Sequence, residues 1–116
     1  MNKNLLEKID GLICEIQRSQ EYIDFIEKKT AIQGNELSQS LINEYHSLMV
    51  VLQAERIQGK SNPETEERMR EICNTASFDD DLLMYLTAEF SIHSLLSEIY
   101  KRIANSVEID LDILES

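Results

Sequence analysis

Glycine and proline are nearly missing from this chain: it has three glycines and one proline in 116 residues. β-Architecture needs turn chemistry at every hairpin, so this scarcity excludes it and leaves long elements with few breaks. Long apolar runs are missing as well. The longest stretch of large apolar residues is Leu48 to Leu52, far short of the ~20 residues that span a bilayer. The opening stretch, Met1 to Lys8, has no apolar core and reads as something other than a signal peptide. Only two cysteines occur, Cys14 and Cys73, with no CxxC spacing. Two free thiols in a reducing cytoplasm is the expectation. Cations are scarce too: 11 against 22 acids, for a net charge of −11, with Lys28-Lys29 the densest basic pair. A chain this acidic is repelled by phosphate backbones, so neither direct nucleic-acid binding nor a membrane partner is expected. From Asp79 onward nine acids face only Lys101 and Arg102. That imbalance reads as a solvated surface, or as a docking face for a basic partner.

What is present is helical periodicity. At this length roughly 65% of the unfolded surface is buried on folding, enough for one domain over residues 1–116. The first helix is predicted from about Lys3 to Ala31. Its seam is Leu5, Ile9, Leu12, Ile16, Ser19, Ile23 and Ile26, at alternating steps of four and three with one polar gap at Ser19. Gly34 is expected to end this helix in the left-handed conformation, and Asn35 to cap the next. The second helix, from about Glu36 to Gln58, carries Leu37, Leu41, Tyr45, Leu48 and Leu52, widened by Ile42 and Met49. Asn62-Pro63 followed by Glu64, Glu66 and Glu67 starts a short third helix, to about Asn74, that buries Met69, Ile72 and Cys73.

The last helix is predicted from Asp79, with Phe78 and Leu83 as a hydrophobic staple. Its seam is Leu82, Leu86, Glu89, His93, Leu96, Tyr100, Ile103 and Val107. Carried to near Leu114 it is about 35 residues and about 52 Å long. Residues 108–116 also alternate with period two, so an acidic-apolar extended tail is the alternative. The fold class is therefore all-α: two to three long helices plus one short helix. Seams this long would protrude from a compact monomer of about 14 Å radius of gyration. A homodimer or hetero-oligomer is expected.

Candidate chemistry is sparse. Glu89 and His93 lie one turn apart in a seam otherwise apolar at its start. A zinc or iron site needs three or more protein ligands, and no Glu-x-x-His repeat supplies them. The other histidine, His46, is two residues from Glu44, on a different face. The preferred reading is a structural polar cluster of Ser19, Tyr22, Glu89 and His93 that fixes register, since buried polar groups seek one another. The alternative is a ligand- or metal-binding bundle using Glu89, His93 and Tyr100. Cys73 reads as a small buried hydrophobe, and Cys14 sits among Glu7, Asp10, Arg18 and Glu21, where carboxylates blunt a thiol. No nucleophile–histidine arrangement and no glycine-rich phosphate loop can be argued, so neither an enzyme nor a bound cofactor is expected.

Four stretches taken in order are Ile16-x-x-Ser19-x-Glu21-Tyr22, Leu41-Ile42-x-Glu44-Tyr45, Leu52-Gln53 and Tyr85-Leu86-x-Ala88-Glu89. With Gln58-Gly59 and Ile99-Tyr100, they resemble the YlbF/YmcA family of small bacterial helical proteins over residues 5 to 107. The resemblance implies an all-α, dimer-forming cytoplasmic protein. It also implies a regulatory role in competence, biofilm formation or sporulation, through a complex with partner proteins that influences an RNA-cleaving endonuclease. Family paralogues or an RNA-processing complex are the partners so implied. Some regulators of the family carry C-terminal cysteines associated with an iron–sulfur cluster. Residues 109–116 hold no cysteine, and a cluster is not carried over.

Overall fold

The structure, a computed structural model, describes residues 1–108. Five helices follow one another: α1 Lys3–Arg18, α2 Gln20–Ile32, α3 Glu36–Ile57, α4 Pro63–Ala76 and α5 Asp80–Ser106. Among the described residues there is no strand. Each helix starts on a side chain that accepts from an otherwise unpaired backbone N–H. Asn2 accepts from Leu5, Ser19 from Tyr22, Asn35 from Ser38, Asn62 from Glu64 and Asp79 from Leu82.

Ser19 corrects the expectation of one continuous first helix. Its backbone is extended (φ −68°, ψ 151°). Its hydroxyl donates to the Ile16 carbonyl at 2.6 Å and accepts from the Tyr22 N–H at 3.2 Å. A serine side chain offers the backbone these local substitutes for helical bonds, and here the substitutes win. The heptad continues through the break, but the helix axis does not.

The helix ends differ in a similar way. Gly34 is not left-handed; Gly59 is, at φ 69°. The α3 end is a Schellman motif: Gly59 N–H donates to the Arg56 carbonyl and Lys60 N–H to the Glu55 carbonyl, at 3.1 and 2.8 Å. At Gly34, Asn35 N–H instead returns to the Ile32 carbonyl at 3.1 Å, a tight turn that needs no positive φ. α5 stops at Ser106 rather than near Leu114, because Glu108 turns left-handed (φ 57°) and its N–H folds back to Asn105. The alternatives for 109–116 lie outside the described residues. Phe78 is 85% exposed and clamps nothing, so the staple is absent; Cys73 is also exposed, not buried.

The core forms where four helices meet. Ile32 of α2, Ile42 of α3, Ala76 of α4, and Leu82 and Tyr85 of α5 are buried together, with Phe25, Leu41 and Leu86 packed around them. The Phe25 and Tyr85 rings lie 5.8 Å apart, tilted by 38°. Side chains as buried as Ile32 and Leu82 contribute about 1.5–3 kcal/mol each. α2 lies along α5, and α4 packs mainly on α3. α1 buries none of its residues. The molecule measures 46 × 37 × 19 Å with a radius of gyration of 17.0 Å, well above that of a compact chain of this length.

Candidate functional site: a buried carboxylate beside an open apolar groove

The buried face of α5 runs through Leu82, Tyr85, Ala88, Glu89 and Ile92. This spacing carries one carboxylate, Glu89, into the interior, where it is 6% exposed. An isolated buried charge is costly, so it must be paired. Tyr85, one turn earlier, donates its hydroxyl to Glu89 Oε2 at 2.7 Å. From α3, His46 Nε2 approaches Oε1 at 2.9 Å and Oε2 at 2.8 Å. A carboxylate only accepts, which assigns the His46 proton to Nε2. Burial, then the hydrogen bond to Glu89, pushes the Tyr85 hydroxyl well above the usual tyrosine range. Burial also raises Tyr45, with Cys73 and Glu89 adding to the shift. The bond from His46 to Glu89 holds α3 to α5, with Tyr85 bracing the carboxylate from within α5.

A second polar link joins α3 to α4. Arg68 Nε and Nη2 each donate to Glu44 at 2.6 Å, two parallel bonds, and Nη1 donates to Glu71 at 2.9 Å. The Arg68 hydrogen bonds hold the Glu44 carboxyl below the usual glutamate range.

The sequence-derived cluster is distributed over three places. Ser19 spends its hydroxyl locally, in the α1–α2 break. Tyr22 and His93 line one groove of about 360 Å³ with Ile13, Ile16, Phe25 and Ile92. On its other side His93 shares a pocket of about 260 Å³ with Tyr45, His46, Met49 and Glu89. Glu89 takes its hydrogen bonds from Tyr85 and His46, and His93 is exposed. His46 and Tyr85 are the residues that sequence reasoning missed. The signal was available: an acid in an apolar seam needs a donor, the chain has only two histidines, and Tyr85 stands four residues before Glu89. Tyr100 is exposed, about 16 Å along α5 from Glu89, and does not join it. Among the described residues no group of three His, Cys, Asp or Glu side chains could hold a metal ion.

The larger open feature is apolar. Leu5, Leu12 and Ile13 on α1, and Tyr100, Ile103 and Val107 at the end of α5, are all exposed. No described helix is long and apolar enough to cross a membrane. Exposed apolar surfaces of this kind mark protein or membrane interaction sites or ligand-binding grooves.

Residues 5–108 match the family described as "Control of competence regulator ComK, YlbF/YmcA". A UPF0342 protein of Symbiobacterium thermophilum is 35% identical over 102 residues, spanning 87% of this chain and 91% of its own length. A UPF0342 protein of Halothermothrix orenii is 28% identical over 86% of each chain. Among solved structures, a chain from the Bacillus subtilis RicA–RicF complex matches with a TM-score of 0.59. It covers 93% of this chain and 96% of its own at 21% identity, a likeness of fold.

Proposed function

The chain belongs to the YlbF/YmcA family, and on that premise we propose that it is a non-enzymatic adaptor that works by docking other proteins. The observation that carries this reading is α1: sixteen residues with an apolar stripe and not one of them buried. An isolated helix of this length is marginal in water, so its stability asks for a packing partner. The related fold in the RicA–RicF complex, itself an assembly of two proteins, supports the same reading. The process proposed from the family description is control of competence; biofilm formation and sporulation are the developmental outputs proposed beside it. The finer role is membership of a complex that modulates RNA turnover, with family paralogues as its other members.

Affinity capture with the tagged chain from its own cells tests this. Defined partners, including a component of an RNA-cleaving complex, should be retained by the native chain and lost with Leu12→Lys while the fold persists. Equal retention by both chains would overturn the reading.

A further inference from the structure

The geometry points to a binding site between α3 and α5 for a small organic cation, an ammonium or guanidinium head on a short apolar stem. The proposal stands apart from the adaptor reading, because the site is complete within one chain.

A cavity of about 260 Å³ opens where α3 faces α5. Tyr45, His46 and Gln53 line it from α3, and Glu89, Phe90 and His93 from α5. Its charge is the first pointer. Glu89 is 6% exposed and still lines the cavity, so a carboxylate stands at an opening largely shielded from water. Low dielectric strengthens its attraction for a cation. Tyr85 bonds Oε2 alone, and His46 spreads one N–H over Oε1 and Oε2 at 2.9 and 2.8 Å. Oε1 therefore keeps acceptor capacity for a further donor.

The aromatic lining is the second pointer. Phe90 is 73% exposed, a ring that the core leaves outside, and it follows Glu89 directly on α5. A ring face attracts a cation within about 6 Å of its centroid, and an apolar stem packs on the same surface. The remaining polar groups fit the same head. An ammonium carries only donors, and the Gln53 side-chain carbonyl and a neutral His93 ring nitrogen are acceptors on this lining.

Other occupants meet an obstacle here. An anion is repelled by Glu89. A metal ion needs converging ligands, and among the described residues no three His, Cys, Asp or Glu side chains could hold one. Pockets for drug-sized molecules begin at about 300 Å³. One short aliphatic amine, or one lysine or arginine side chain of another protein, is the size that remains.

A heteronuclear NMR titration of the isotope-labelled full chain tests the proposal. The probes are n-butylammonium, n-butanol as its uncharged counterpart, and Nα-acetyl-lysine methylamide in place of a protein side chain. n-Butylammonium should shift the His46, Phe90 and His93 resonances saturably, and n-butanol should bind about tenfold more weakly. Glu89→Gln should weaken the amine about tenfold. Phe90→Ala, a change at an exposed ring, should weaken it about threefold and keeps the test valid if Glu89→Gln fails to fold. Glu98→Gln removes an acid that pairs with Arg102 outside the cavity, and should leave binding unchanged. A capped lysine that binds as well as the free amine assigns the site to a side chain of a partner protein; binding of the free amine alone assigns it to a small molecule. Equal binding of n-butanol, full binding by Phe90→Ala, or an equal loss with Glu98→Gln overturns the proposal and leaves partner capture, read separately, untouched.

Discussion

His46 Nε2 and Glu89 Oε2 stand 2.8 Å apart although 43 residues separate them in the chain. α3 and α5 otherwise approach each other sparingly, so this bond fixes their relative register. Tyr85 completes it from below, and its ring packs on Phe25 of α2. One buried carboxylate thereby ties together three of the four helices that build the core.

Removing that carboxylate should expose its role. Glu89→Leu strands the Tyr85 hydroxyl, which is buried, and should cost about 1–3 kcal/mol in urea unfolding. Tyr85→Phe with Glu89→Leu should recover part of that loss, since neither polar group is then left unpaired. A double variant that loses the sum of the two single effects would show that the bond contributes nothing.

Stability should also fall at alkaline pH. Burial and the Glu89 hydrogen bond hold the Tyr85 proton above the ordinary value of 10.0, and burial does the same at Tyr45. A raised folded-state value gives a contribution that is complete below pH about 10 and lost as the pH climbs past it. Melting temperature followed from neutral to alkaline pH should drop in the native chain, with a shallower drop in Tyr85→Phe. Identical slopes would contradict the assignment.

Asp79 accepts from the Leu82 N–H at 3.2 Å and opens α5. Asp79→Ala should cost about 1 kcal/mol by thermal or chemical unfolding. An unchanged midpoint would mean that the helix gains nothing from this cap.

Gly59 is the left-handed residue that closes α3, and a Cβ there meets no neighbour. Gly59→Ala should therefore lose about 1 kcal/mol from backbone conformation alone. A neutral result would show that the Schellman end relaxes freely.

The caps at Asn35, Asn62 and Asp79 were legible in the sequence because each is a local bond between a short polar side chain and a backbone three residues away or less. The break at Ser19 was not, since the four-three pattern of apolar residues runs straight through it and only the serine hydroxyl decides. Gly34 and Gly59 look alike as letters, and the turn that follows each determines which becomes left-handed. Glu89 was visible as the polar intrusion in an apolar seam. Its partner was not, because the two-residue spacing of His46 from Glu44 says nothing about which helix α3 will face. Cys73 is exposed because the buried face of α4 runs through Thr65, Ile72 and Ala76, which leaves the residue after Ile72 turned outward.

On the adaptor reading the apolar face of α1 is covered by another protein, a second copy of the chain being the simplest cover. Hydrogen–deuterium exchange of the α1 backbone amides, followed as the purified protein is diluted, tests it most directly. A sixteen-residue helix with no buried side chain protects its amides poorly on its own. Residues 6–18 should be strongly protected at high concentration and lose that protection on dilution, while α5 around Tyr85 and Glu89 stays protected throughout. Fast exchange in α1 at every concentration would contradict it.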